Sequence, residues 1–286
     1  MTELRARKRF GQNFLRDESV IRRIVAAIRP KPDEQLLEIG PGRGALTGAL
    51  LARDCKLLAL ELDRDLVPLL QQQFGANPHF ALQQGDALNL DLAALGFAQP
   101  LRVVGNLPYN ISTPLIFHLL RQADQIADMH FMLQKEVVER LAAGPGSRAY
   151  GRLGIMTQYF CAVESLFEVP PGAFIPAPKV QSAIVRLIPH RQLPHPARSL
   201  PLLERVVRTA FNQRRKTLRN ALQELIAGEQ IAALDIDPGA RPERLSLAQF
   251  VRIADALDDR LADTPLPADA PLSVDAPLFV DEETRP

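Results

Sequence analysis

Five short apolar segments constrain this chain more than any other feature. LLEIG (36–40), CKLLALELD (55–63), HFALQQGD (79–86), LRVVGN (101–106) and MHFMLQ (129–134) are each bounded by Gly, Pro, Asp or Asn and rich in Leu, Val, Ile and Phe. Runs of that length and composition read as buried strands. Between them lie stretches of helical periodicity over Ala45 to Arg53, Asp65 to Phe74 and Pro114 to Arg121, the last with Thr113 as N-cap and Pro114 at the first helical position. Strand and helix in strict alternation predict an α/β, Rossmann-like fold with a parallel, doubly wound sheet. Two further strands are expected over Ser165 to Val169 and Ser182 to Ile188, with FIPAPKV between them.

At 286 residues the chain is long enough for two domains, taking roughly 150 residues for each. Pro189, Pro194, Pro196 and Pro201 fall within thirteen positions, a density incompatible with helix or central strand. The expected organisation is an α/β domain over 1–189, a linker over 190–201, a small all-helical domain over 202–262 and a Pro-rich acidic tail over 263–286 without usable periodicity. Helical patterns run over 202–227 and 246–262. Cys55 and Cys161 are 106 positions apart and no CxxC or His/Cys cluster occurs, so the sequence gives no metal site and suits a reducing compartment. His118, His130, His190 and His195 show no ligand spacing and receive no role. Without an apolar leader or a run of about 18 apolar residues, a cytoplasmic protein with no membrane partner is expected.

A net charge of +1 argues, taken alone, against a nucleic-acid partner. The total is a cancellation. Residues 1–31 carry nine basic side chains, among them Arg7, Lys8 and Arg9, against three acids. Residues 201–227 carry six, including Arg214, Arg215, Lys216 and Arg219, against two acids, whereas nine acids face two arginines from 255 onward. A solvated helix face is the commoner reading of any one charge run, so the function has to be argued from the strand ends.

In LLEIGPGRGALT a strand runs into a turn containing Gly40, Gly42 and Gly44, which lets backbone approach a ligand closely. That turn also satisfies the dinucleotide pattern G-x-G-x-x-A, and structural glycine turns are nearly as common. Glu61 ends the second strand, suited to accept from both hydroxyls of a ribose. Asp86 ends the third, suited to accept from an adenine amine, and Asn106 ends the fourth. Gly40, Glu61, Asp86 and Asn106, at four successive strand ends, mark the carboxyl rim where open α/β sheets bind ligands. An acid at the third strand, with no pyrophosphate to cradle, fits S-adenosylmethionine better than NAD.

The stretch Asn106, Leu107, Pro108, Tyr109 carries the expected chemistry. An exocyclic adenine amine is a weak nucleophile because its lone pair is delocalised into the ring. Hydrogen bonds from that amine to the Asn106 side-chain oxygen and the Leu107 carbonyl would draw the nitrogen towards tetrahedral geometry and aim its lone pair at a sulfonium methyl. Pro108 restricts the backbone, and Tyr109 can stack on a flipped base.

Together with RKRFGQNFL, GDAL, GNLPYNISTPLIFHLL, MLQKEV, YGRL, FIPAPKVQSA and FNQRRKTLRNAL, these motifs resemble the ribosomal RNA adenine N6-methyltransferases over most of residues 7–260. The resemblance implies that Asn13 and Leu15 help hold the cofactor, that Gly40 and Gly42 approach its methionine part, and that Glu61, Asp86 and Asn106 meet its ribose, adenine and reacting end. It implies that Phe174 forms the second face of a base sandwich with Tyr109. Arg7, Lys8, Arg9, Arg214, Arg215, Lys216 and Arg219 become candidate RNA contacts. The implied activity is dimethylation of the N6 amines of two adjacent adenosines in the 3′-terminal hairpin loop of 16S rRNA, in the immature small subunit, by a monomer. Competing readings are the related large-subunit methyltransferases of macrolide resistance, an RNA-binding assembly factor and, more distantly, an NAD-dependent dehydrogenase.

Overall fold

A computed structural model describes residues 13–97 and 100–263. Arg7, Lys8, Arg9 and the tail from 264 onward therefore lie outside the described residues. The chain divides into two compact units between Pro194 and His195, within the proline-rich segment.

The first unit opens with β1 (Phe14–Leu15) and α1 (Glu18–Ile28), a helix that the basic character of this segment concealed. Asp17 starts it by accepting from the Ser19 and Val20 amides at 2.8 and 3.2 Å. Val20, Ile21, Ile24, Val25 and Ile28 form its buried stripe, leaving Arg22 and Arg23 exposed. There follow β2 (Gln35–Ile39), α2 (Ala45–Leu51), β3 (Lys56–Glu61), α3 (Val67–Phe74), β4 (Phe80–Gln84), β5 (Leu101–Asn106), α4 (Ser112–Leu120) and β6 (Ile126–Gln134). The unit is completed by α5 (Lys135–Ala142), α6 (Arg152–Phe160), β7 (Cys161–Val169), β8 (Phe174–Ile175) and β9 (Ser182–Pro189).

The main sheet has the order β4-β3-β2-β5-β6-β9-β7, and β1 pairs separately with β8. Strands β2 to β6 are parallel, whereas β9 and β7 are antiparallel, so the sheet is mixed rather than parallel throughout. No α-helix lies between β7 and β9 to carry a parallel crossover, so the chain turns back antiparallel. Helix α4 begins at Ser112 rather than after a Thr113 cap, because the Ser112 hydroxyl bonds the Tyr109 carbonyl at 3.1 Å and the helix grows from the turn below it. Pro114 still falls in the first turn, where its missing N–H costs nothing.

A charged clamp joins α1 to the sheet. Arg102, with a side chain 12% exposed, donates to both Asp128 oxygens at 2.9 and 3.0 Å, to Glu34 at 3.0 Å and to the Ile28 carbonyl at the end of α1 at 2.6 Å. Arg186 reaches the same Asp128 at 3.2 Å. Burial works against ionisation of Asp128, but the two guanidiniums more than offset it and hold the carboxyl below its ordinary value.

In the second unit, α7 (Leu200–Asn212), α8 (Leu218–Ala221), α9 (Gly228–Ala233) and α10 (Leu247–Asp263) bury Leu203, Val206, Val207, Leu218, Ile231 and Phe250. The helix expected across 202–227 breaks at 213–217, which places Arg214, Arg215 and Lys216 in a turn and leaves only Arg219 on a helix. No residue from Gln213 to Thr217 can extend the apolar stripe of α7, and α8 starts afresh with the Leu218 amide bonded to the Ala240 carbonyl at 2.8 Å.

Removing Asp128 leaves a largely buried guanidinium short of its main partner. Asp128→Ala is expected to destabilise the first unit by about 3–5 kcal/mol, read as a lower urea midpoint at unchanged slope.

Candidate active site

The strand order reverses between β2 and β5, and the carboxyl ends of these two neighbours define the crevice in which doubly wound sheets bind ligands. At that point the two strands nearly touch. A Cβ on Gly105 would stand 2.6 Å from the Ile39 carbonyl oxygen, so only glycine allows this approach. A cavity of about 330 Å³ opens above it, within the roughly 300–1,000 Å³ range of small-molecule sites.

Asn13, Leu15, Gly40, Gly42, Glu61, Asp86, Asn106, Leu107, Pro108 and Tyr109 all line this cavity. The structure brings together residues that the sequence spreads across positions 13–109. Gly40, Gly42 and Gly44 have φ of 68°, 60° and 81°, the left-handed region that the turn into α2 demands. The Phe14 ring closes over the turn at Gly42, where a Cβ would meet it at 3.2 Å, and the Arg43 guanidinium lies over the same ring, 4.7 Å from its centroid.

Glu61 is 5% exposed, and its carboxylate accepts from the Gly42 amide at 3.1 Å and the Asp63 amide at 2.8 Å. Burial raises its pKa, and the two amides partly offset that. The Gly42 N–H, which would face a pyrophosphate in a dinucleotide site, is thus engaged by an anion of the protein itself. Asp86 is fixed at the wall by accepting from the Leu88 amide at 3.0 Å. With Glu38 and Asp63 also lining the cavity, the site is acidic and suits a cationic ligand.

The Asn106 carboxamide donates its NH2 to the Asn13 carbonyl at 3.0 Å. Its oxygen is therefore the group Asn106 offers to the cavity, an acceptor as the chemistry of an amine substrate requires. Tyr109 is partly buried, its hydroxyl sharing a 2.8 Å hydrogen bond with the buried Ser182. Phe174 is not at the cavity. It is 2% exposed and packs in the core with Leu15, Val169 and Ala173, so the expected sandwich with Tyr109 is not formed in this conformation. The residue alternation of β8 explains this: Phe174 points inward opposite Leu15 while its neighbour Ile175 is 50% exposed.

Sequence reasoning passed over Phe14, Glu38 and His130, all of which line the cavity. The available signal was a polar residue inside an apolar strand, at Glu38 in LLEIG and His130 in MHFMLQ. Glu38 is 2% exposed and accepts from the Thr47 hydroxyl at 2.7 Å. Burial, aided by the neighbouring Glu61, pushes its pKa up to about 7. Among the described residues no group of three or more His, Cys, Asp or Glu side chains is arranged to hold a metal, and no helix is long and apolar enough to cross a membrane.

A Rossmann-like sheet with an acidic cavity at its switch point and an Asn-Leu-Pro-Tyr strand end defines a methyltransferase of the S-adenosylmethionine-dependent class. Within that class the chain belongs to the ribosomal RNA adenine dimethylase family, whose pattern matches residues 3–259. It is 62% identical over 254 residues to the ribosomal RNA small subunit methyltransferase A of Marinobacter nauticus, covering 89% of this chain and 92% of that one. The enzyme of the same name from Pseudomonas aeruginosa is 63% identical over 261 residues, with 90% and 97% covered. Among solved structures, the 23S rRNA methyltransferase ErmE superposes with a TM-score of 0.69 at 26% identity, covering 86% of this chain and 100% of that one. A dimethyladenosine transferase from Plasmodium falciparum also reaches 0.69, at 25% identity, with 84% and 95% covered.

The raised pKa of Glu38 has a signed consequence. Between about 4.5 and about 7 the folded protein holds a proton that the unfolded chain releases, so this group makes stability fall as pH rises. Glu38→Gln removes that loss. Its stability relative to the parent chain is expected to rise from pH 4.5 to 7 and level off above, which urea melts across the range will show.

Proposed function

We propose that this chain transfers methyl groups from S-adenosylmethionine to the N6 amines of two adjacent adenosines in the 3′-terminal hairpin loop of 16S rRNA, acting as a cytoplasmic monomer on the immature small subunit. The observation that carries the reading is the Asn106 carboxamide, held by Asn13 with its oxygen left for an amine donor. The acidic cavity above the Gly-rich turn fits a sulfonium cofactor. Gly40 and Gly42 would pass beneath its methionine part, Asn13 and Leu15 would cover it, and Glu61 and Asp86 would receive its ribose and adenine. The Glu61 carboxylate keeps acceptor capacity beyond the backbone N–H groups it already binds.

When bound, S-adenosylmethionine supplies an electrophilic methyl group. The protein's part is to orient the nucleophile. Asn106 Oδ1 and the Leu107 carbonyl each accept one hydrogen of the amine, directing the nitrogen lone pair into the cavity. Transfer would make the new C–N bond at the expense of the donor's C–S bond, with S-adenosylhomocysteine as the leaving group, and the nitrogen would then lose a proton to solvent, its acidity having risen with methylation. A second transfer, from a second S-adenosylmethionine, would give the dimethylated base; the monomethylated nitrogen has one hydrogen left, so only one of the two acceptors would hold it in that round. Tyr109, anchored through Ser182, offers a ring face to the flipped adenine, and Pro108 limits the backbone freedom immediately after the Leu107 carbonyl.

The small-subunit substrate is supported over a large-subunit one by the 62–63% identity to enzymes named for the small subunit, against 26% to the 23S enzyme. Purified undermethylated small and large subunits, incubated side by side with labelled cofactor, test this directly. Dimethyladenosine in the small-subunit RNA alone is expected, and its absence there refutes the reading.

Two variants separate chemistry from docking. Asn106→Ala is expected to lower kcat by at least about 100-fold with subunit binding within twofold of the parent chain. Reversing Arg214, Arg215 and Lys216 to Glu is expected to weaken subunit binding and to make the plot of log affinity against log salt shallower by about two.

A further inference from the structure

His130 is a buried imidazole that the scheme above does not use. It lies on β6 directly beside Val104 of β5, which in turn is in register with Glu38 of β2. These residues form one row across the sheet. Asn106 and Met132 form the next row towards the carboxyl ends, on the same face and about 6–7 Å further along the strands. His130 therefore sits in the floor of the cavity, beneath the carboxamide that orients the nucleophile, and it lines that cavity.

It is 3% exposed, and neither ring nitrogen has a hydrogen-bond partner among the described residues. The nearest candidate fails for a visible reason. Asp128 Oδ1 is 3.7 Å from Nδ1, beyond hydrogen-bond range, because its carboxylate is held in the fork of Arg102 and drawn further by Arg186. Burial, with the two guanidiniums opposing the pull of Asp128, pushes the pKa of His130 down to about 4. The ring is thus neutral near pH 7, with one donor and one acceptor nitrogen, in a cavity that Glu38, Glu61, Asp63 and Asp86 also line.

An orphaned buried polar group lowers stability, commonly by about 1–3 kcal/mol. Where a strand position otherwise filled by Val, Ile, Leu or Met carries one, the group is expected to have a partner in another state of the protein. We propose that His130 is a positioning residue for the methyl donor, its ring nitrogen forming a hydrogen bond to the bound cofactor, directly or through one buried water, from below Asn106. This rests on the S-adenosylmethionine reading of the cavity and adds to it a contact on the inner side of the pocket. A water that satisfied the imidazole regardless of ligand would leave the ring's environment unchanged when the cavity fills, which gives the test its contrast.

The experiment uses the full-length chain labelled with 15N-histidine. The His130 ring signals are assigned by their loss in His130→Gln, and spectra are taken with and without S-adenosylhomocysteine. Cofactor affinity and melting temperature are measured for the parent chain, His130→Leu and His130→Gln. Expected are a shift of the His130 ring nitrogens on adding ligand, and S-adenosylmethionine binding about tenfold weaker in His130→Leu, the scale of one lost hydrogen bond to a charged or strongly polar partner. The ligand-free His130→Leu chain is expected to melt at or above the parent temperature, because the orphaned group has been removed. His130→Gln, whose amide can replace the outer ring nitrogen, is expected to recover most of the affinity. Unmoved ring signals, or parent-like binding by His130→Leu, overturn the assignment. So does weak binding that comes with a lowered melting temperature and is not rescued by Gln, since that marks a packing role. If the parent chain itself binds no S-adenosylmethionine, it is the functional reading that fails.

Discussion

The close approach of β2 and β5 is the constraint on which the rest of this molecule depends. With no side chain at Gly105, the Ile39 carbonyl oxygen comes within 2.6 Å of where a Cβ would stand. The strand order reverses here, so helices leave the two strands in opposite directions and a crevice has to open above them. The Gly-rich turn after β2 and the Asn-Leu-Pro-Tyr end of β5 occupy adjacent lips of that crevice. The Gly-rich turn and the Asn106 carboxamide are thus brought together by backbone packing, before any polar contact is considered.

The electrostatics of the crevice follow from how its backbone amides are used. In a dinucleotide site, glycine-turn amides face phosphate oxygens. Here Glu61 takes the Gly42 amide, so the turn is already complemented by an internal anion, and a second acid, Glu38, is buried behind it. A cavity walled in this way discriminates by sign of charge. It favours a sulfonium ligand and penalises a pyrophosphate without needing a side chain to block the latter sterically.

Much of this was legible in the sequence because it is periodic or punctuated. The five apolar runs became the five parallel strands, each within about three residues of its expected bounds, and every strand-end residue singled out for the cofactor lines the cavity. What was hidden is what depends on partners far along the chain. Helix α1 was masked by Arg22 and Arg23, which lie on its solvent face, and the antiparallel β9 and β7 are set by the connection between them, which local pattern does not report. Phe174 illustrates the same limit. Its motif points to the substrate, but which way an aromatic ring faces on a two-residue strand is decided by its pairing with Leu15. His130 and Glu38 went unread because single polar residues inside strands resemble noise until the cavity beneath them is seen.

The hydrogen bond between Asn106 and the Asn13 carbonyl ties the reacting end of the sheet to a segment 93 positions earlier. A carboxamide presents a donor at one end and an acceptor at the other with nearly the same shape, and nothing in its own strand decides which end faces the cavity. That decision is made by one peptide carbonyl, of the residue just before the two-residue strand β1. The polarity of the active site is thus an addressable property, separable from the stability of the sheet. Without that carbonyl the carboxamide would be free to turn either end to the cavity, so the polarity of the pocket wall could change while the sheet beneath it stayed folded.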